Sequence, residues 1–260
     1  MQYCNTNDII KAKIIYMKGH IDIHDNNENI FMTCCKNGQL ELAQWIYSLG
    51  ELDNYENEAF KITSVNGHLA IMQWLYSLGN INMIAINYAF KQSCYKGYFL
   101  VVKWILGMKL EIENIDKIFE MTCYNGQLDV AKYIYDKYKS NCINTELIIN
   151  DLIRLCCTTK HTNIIKWLCT LYEIETSMLV YIFNTSCNSG NIDLVEYIFN
   201  LEETCEITNE IFINCCVQGY IDILQWIFSI YNTLNMFIGD DFNYESCHPE
   251  VKNWLKIFKI

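Results

Sequence analysis

Apolar and polar positions along this chain follow one pattern that returns about every thirty residues. Its clearest mark is a glycine, at Gly38, Gly67, Gly97, Gly126, Gly190 and Gly219, with Lys160 and Cys247 holding the same place in two further periods. Successive anchors lie 29, 30, 29, 34, 30, 29 and 28 residues apart by subtraction, the long step containing an insertion around Asp136 to Asn144. Seven residues after each anchor stands an aromatic (Trp45, Trp74, Trp104, Tyr133, Trp167, Tyr197, Trp226, Trp254), and the next residue is always Ile or Leu. Four after the anchor stands Leu, Ile or Val. Seven before it lie Phe31, Phe60, Phe90, Phe119, Ile153, Phe183 and Phe212, with Asp240 breaking the series. Three and four before it stand only Cys, Ser and Thr, from Cys34 and Cys35 to Cys215 and Cys216.

Apolar residues four, five, seven and eight past the anchor form the buried stripe of one short helix. Those seven, four and three before it form the stripe of another, which ends at the anchor, where glycine suits a left-handed cap. Each period therefore predicts helix, tight turn, helix and a short connector. Small residues before the anchor let neighbouring helices approach closely. One such hairpin cannot bury its own apolar face, whereas stacked hairpins can. The expected fold is all-α: a helix-turn-helix solenoid of about eight units. The aromatic series reads as core of the repeats, in preference to a stacking platform for bases.

Composition changes this picture little but excludes much. Of 260 residues 52% are hydrophobic and 19% charged, which is not the composition of a disordered chain. Nineteen Lys and Arg against thirty Asp and Glu leave a net charge of −11. That sign opposes nucleic acid and anionic membranes, and no basic cluster is evident along the chain. The fourteen cysteines include no Cys-x-x-Cys pair, and nine of them occupy the small positions before the anchors. They are expected to pack as reduced small hydrophobes, not to bind zinc or form disulfides. Met1 to Gly19 carries Asp8, Lys11, Lys13 and Lys18 and does not resemble a secretory signal, and no apolar run is long enough for a membrane span. An intracellular protein is expected.

The stretch Thr63-Ser64-Val65-Asn66-Gly67-His68-Leu69-Ala70-Ile71 resembles the ankyrin repeat, as do Cys34 to Ile46 and Cys123 to Ile134. The aromatic in Ile71-Met72-Gln73-Trp74-Leu75 resembles divergent ankyrin proteins encoded in many copies by giant DNA viruses of amoebae, and the abundance of Ile, Asn, Tyr and Lys suits an A/T-rich genome. The resemblance covers residues 28 to about 258. It departs from the family in lacking Thr-Pro-Leu-His at the first helix and in its shorter period. It implies one continuous array: a truncated capping unit at 1–27, where Lys18-Gly19-His20 looks like a further turn, ankyrin-type repeats at 28–232, and a divergent capping repeat at 233–260. The implied function is a non-catalytic scaffold, monomeric and located in the host cytoplasm, that binds a host or viral protein along the concave face and connector tips. A structural virion component, or an adaptor bringing a target to a ubiquitin ligase, is the alternative.

No residue set points to catalysis, a cofactor or a metal. His68, His161 and His248, one past their anchors, match a structural turn residue in the resemblance, and Cys157 with His161 lacks a third ligand. The candidate surface is the acidic connectors. Glu51 and Asp53, with Tyr55 beside them, and Glu111 and Glu113 are expected to project from a rigid scaffold. Tyr95 and Tyr124, both two before an anchor, would add contact area. The plainer reading of all the connector acids, Glu56, Asp116, Glu173, Glu175, Glu202, Glu203 and Glu206 included, is a solvated rim. A folded protein with a basic patch is the expected partner.

Overall fold

The computed structural model describes residues 27–49, 52, 55–138, 146–171, 173–202, 205–234, 237–238 and 242–258. The expected capping unit before them, Glu51, Asp53, Glu203, Asp240 and most of the insertion after Asp136 lie outside the described residues. Among those described, the secondary structure is α-helix with two short 3-10 turns and no strand. The first body holds four helix pairs: α1 (Asn27–Lys36) with α2 (Leu40–Ser48), α3 (Glu56–Val65) with α4 (Leu69–Ser77), α5 (Met83–Lys96) with α6 (Phe99–Gly107), and α7 (Ile115–Tyr124) with α8 (Leu128–Tyr138). The second holds α9 (Glu146–Thr159) with α10 (Thr162–Leu171), α11 (Thr176–Ser189) with α12 (Ile192–Leu201), α13 (Asn209–Gln218) with α14 (Ile221–Tyr231), and the terminal α15 (Pro249–Leu255).

Within each body the pairs stack in two layers. First helices pack on first helices, α1 on α3, α3 on α5, α5 on α7, and again α9 on α11 and α11 on α13. Second helices pack likewise, α6 on α8, α10 on α12 and α12 on α14. The sequence explains why the first layer is tight. Every small residue three or four before an anchor is buried, from Cys34 and Cys35 to Cys215 and Cys216. Hydroxyls placed there return to their own helix: Thr63, Thr122 and Ser186 each donate to the carbonyl four residues back at 2.6 Å. Cys215 Sγ reaches the carbonyl of Cys187 on the neighbouring first helix at 3.8 Å. Behind this seam lie Phe31, Phe60, Phe90, Phe119, Phe183 and Phe212, all fully buried.

The anchors take the expected left-handed backbone, with φ between 74° and 81° at Gly38, Gly67, Gly97, Gly126, Gly190 and Gly219. Lys160 adopts it too, at φ 59°, although a side chain makes that conformation cost about 1–2 kcal/mol. Cys247 does not (φ −69°). There a 3-10 turn at Tyr244–Ser246 replaces the end of a first helix, and Pro249 opens α15. His248 N–H still bonds the carbonyl of Cys216 at 2.9 Å, so this last half-repeat docks on its neighbour without the left-handed turn.

Glycine at the anchor serves packing as well as conformation. At Gly38, Gly67, Gly97, Gly190 and Gly219 the side chain one past the next anchor lies on the glycine. A Cβ built on Gly38 would stand 2.7 Å from the His68 ring, on Gly67 2.8 Å from the Tyr98 ring, and on Gly190 2.7 Å from the Tyr220 ring. Most of these side chains also bond a carbonyl in the last turn of the preceding first helix, always two before the anchor. His68 Nε2 donates to Lys36 O at 2.9 Å, Tyr98 Oη to Val65 O at 3.3 Å, Gln127 Nε2 to Tyr95 O at 3.4 Å, and Tyr220 Oη to Asn188 O at 3.4 Å. A carbonyl left unsatisfied at a helix end is thus satisfied by the next repeat. Where the anchor is Lys160 the arrangement shifts. Lys160 Nζ donates to Ser189 O at 2.8 Å and Asn191 Nδ2 to Thr162 Oγ1 at 2.7 Å.

The aromatic series departs from the core expectation. All eight rings are only half-buried, while the Ile or Leu that follows each is buried. The rings instead bridge adjacent repeats edge-on. Trp74 meets Tyr47 at 5.5 Å and 90°, Trp104 meets Tyr76 at 5.8 Å and 89°, and Trp226 meets Phe199 at 5.1 Å and 87°. The reason is angular. The two apolar residues at the end of the stripe sit about 100° apart on the helix, so one turns inward and the other lies along the seam.

Two outcomes follow from this packing. Gly107→Ala, on a helix with open space around it, should hold or raise the melting temperature, since Gly inside a helix costs about 0.5–1 kcal/mol relative to Ala. Gly79→Ala, at φ 86° with nothing within 4 Å, should lose about 1–2 kcal/mol through backbone strain alone. Gly67→Ala should lose more than Gly79→Ala because it also displaces Tyr98. Equal melting of the last two would show that the ring on the glycine contributes nothing. The second outcome concerns pH. Burial pushes the thiols of Cys35, Cys156 and Cys215 up to about 12 from an ordinary 9.0. A raised pKa in the folded state means this stabilisation is whole below about pH 9 and lost as pH rises towards 12, by up to about 1.4 kcal/mol per thiol per pH unit. Thermal melts at about pH 8 and 10.5 should show the fall, and Cys156→Ala with Cys157→Ala should make it shallower.

Candidate binding surface

Once the inward residues are spent on packing, each first helix presents the positions two, six and nine before its anchor to solvent. In the first body these carry Met32 and Lys36 on α1, Glu58, Lys61 and Val65 on α3, Tyr88, Lys91 and Tyr95 on α5, and Lys117, Glu120 and Tyr124 on α7. Most of them border two grooves. The first, of about 410 Å³, is lined by Lys36, Glu58, Lys61, Ile62, Val65, Asn66 and Tyr88. The second, of about 390 Å³, is lined by Asn87, Tyr88, Lys91, Tyr95, Glu113, Asn114, Lys117 and Ile118. Tyr88 lines both and is 40% exposed, so the two grooves run together over its ring.

The lysine heads are placed by the rings beside them. Lys61 Nζ stands 5.9 Å from the Tyr88 ring centre and 2.6 Å from Glu58 Oε1, and Lys91 Nζ stands 5.7 Å from the Tyr95 ring centre. Burial, and then Cys94 next to it, hold the Tyr95 phenol above its ordinary pKa. Asn87 holds a buried amide oxygen with no hydrogen-bond partner among the described residues. In the second body a groove of about 800 Å³ is lined by Asn188, Glu210, Ile213, Asn214, Val217, Gln218 and Tyr220, with Ile213 and Val217 exposed and no cation among its lining residues.

The candidates expected from sequence scatter over this surface. Tyr95 and Glu113 both line the second groove, together with Lys91 and Lys117. Glu111 is exposed on the same connector but lines neither groove, and Tyr124 is half-buried one repeat further on. Tyr55 is half-buried at the start of α3, where its carbonyl accepts from Ala59 N at 2.9 Å. Asp116, Glu173, Glu175 and Glu206 are exposed, whereas Glu202 is half-buried and accepts from Thr176 Oγ1 at 3.2 Å. Glu56 does not belong to a solvated rim. It is 3% exposed and accepts from Tyr47 Oη at 2.8 Å and Asn80 Nδ2 at 3.3 Å, which fastens the following connector to α3.

The lysines beside the two grooves form no cluster in the linear sequence. Lys36, Lys61, Lys91 and Lys117 are 25, 30 and 26 residues apart in the chain and are gathered only when first helices stack. The available signal was Lys61 and Lys91, which share one place in successive repeats, six before the anchor; the net charge of −11 hid it. Among the described residues no three His, Cys, Asp or Glu side chains converge as a metal site, and no described helix is long and apolar enough to cross a membrane. No protein-family model matches the chain, and no curated protein matches it.

Proposed function

We propose that the chain is an ankyrin-type repeat protein of about eight units that acts as a non-catalytic scaffold, binding a host or viral protein on the first-helix face and the connectors beside it. The observation that supports this reading most directly is the division of labour within a repeat. Residues that could carry chemistry, above all the thiols, are buried where helices touch, while the first helices leave a run of Tyr and charged side chains around two joined grooves. Aromatic and long charged side chains on a rigid frame suit protein recognition, in which a few well-placed anchors supply most of the affinity. The connector acids beside the second groove, Glu111 and Glu113, extend the same surface.

Capture from a host-cell lysate, identification of the retained protein, and remeasurement with both proteins purified test the proposal. Tyr88→Ala with Tyr95→Ala should weaken the purified complex by on the order of thirtyfold, the effect of losing about 2 kcal/mol at an interface hot spot. The melting temperature should change little, because neither ring is fully buried. A purified partner that binds the double variant as tightly as the natural chain would move the interface off this face. Turnover of a substrate by the purified chain would overturn the non-catalytic reading.

A further inference from the structure

Resting on the scaffold reading, we infer that the joined grooves of the first body take an extended, acidic protein segment with a carboxylate at about every third residue. Charge decides the sign. The grooves are lined by four lysines, Lys36, Lys61, Lys91 and Lys117, against two carboxylates, Glu58 and Glu113, on a chain whose net charge is −11. One lysine comes from each of four successive first helices, α1, α3, α5 and α7. Lys61 and Lys91 hold the same place in their repeats, so their heads are offset by one helix layer, roughly 8–10 Å. A chain in the extended polyproline II conformation rises about 3.1 Å per residue and returns to the same face every third residue. Three residues therefore span one layer on one face, and acids three apart can meet Lys61 and Lys91, with Lys36 and Lys117 lining the grooves to either side.

The site is partly organised in advance. Tyr88 and Tyr95 hold the ammonium groups of Lys61 and Lys91 near their rings. Tyr88, open to both grooves, offers a flat apolar surface for the residues between acids. The existing Lys61–Glu58 pair is solvent-accessible, with side chains 25% and 60% exposed, and such pairs are worth little, so exchanging Glu58 for an incoming carboxylate costs little. The acidic remainder of the molecule repels such a segment at long range. That field is screened beyond about 8 Å at physiological salt, whereas contacts within the groove act at shorter range and are screened less. A basic partner fits less well here, because the second groove is lined by two lysines, Lys91 and Lys117, against the one carboxylate of Glu113.

The test uses the full chain and a labelled peptide of about twelve residues built from repeated Glu-Ser-Val, alongside matched Gln-Ser-Val and Lys-Ser-Val peptides and a thymidine oligonucleotide. Lys61→Glu with Lys91→Glu reverses the groove. Lys103→Glu with Lys132→Glu makes the same change of net charge on exposed positions of the second helices. The Glu peptide should bind, should lose on the order of tenfold or more in affinity with the groove pair, and should change less than about twofold with the control pair. Thermal melts of both pairs establish that they fold. Equal losses in both pairs, or equal binding of the Gln peptide, would overturn the inference. Tighter binding of the oligonucleotide would replace the acidic segment by a nucleic acid. Preferential binding of the Lys peptide, lost in Glu111→Lys with Glu113→Lys, would overturn the acidic occupant and leave the scaffold reading standing. If no peptide binds while a captured protein still requires Tyr88 and Tyr95, the inference fails and the scaffold reading again survives.

Discussion

Where one repeat meets the next, a side chain lies flat on a glycine that has none. The first helix closes on a left-handed residue, and the His, Tyr or Gln one past the following anchor occupies the space a Cβ would fill. The same side chain bonds the carbonyl two before the anchor, which its own helix cannot satisfy. One contact thus ends a helix, sets the distance to the neighbour and fixes the vertical register between repeats. Its repetition brings the Cys, Ser and Thr rows of adjacent first helices into contact and keeps the phenylalanines buried behind them. At Lys160 the contact is remade with a lysine ammonium and an asparagine amide, so the requirement is a closed helix end and not glycine itself.

That register also decides what remains outside. Close packing of the first helices consumes positions three, four and seven before each anchor and leaves two, six and nine facing solvent. The half-buried tryptophans close the other seam edge-on, as quadrupolar rings prefer. The outward surface is therefore a by-product of the packing scheme: every repeat added to the stack adds one more row of outward residues at constant spacing. Those rows can change in sequence without disturbing the seam beneath them.

The electrostatics of that surface run against the chain as a whole. A net charge of −11 describes a molecule that repels anions at a distance, yet four successive first helices set lysines along one pair of grooves, with tyrosine rings beside two of them. Total charge governs approach and solubility. Local charge governs what can stay in contact, because salt screens the first more than the second.

Much of the fold is legible in the residues alone. The return of Gly38, Gly67, Gly97 and Gly126, the small residues before them and the Ile or Leu eight after them report on local conformation and inward packing, and both act within one repeat and are copied in the next. What each outward side chain does depends on residues about thirty positions away, on neighbours that exist only after stacking. Hence Glu56, charged and expected in a connector, is buried at the start of α3, where it accepts from Tyr47 and Asn80. The tryptophans, apolar and periodic, sit on a seam and not in the core, and Glu113 lines the same groove as Lys91 and Lys117. By itself the sequence determined the helices, their ends and the faces they bury, because those follow from short-range periodicity. Only the tertiary structure decided which polar residues share a surface, because that is set by the stacking register, which brings together positions no linear window contains.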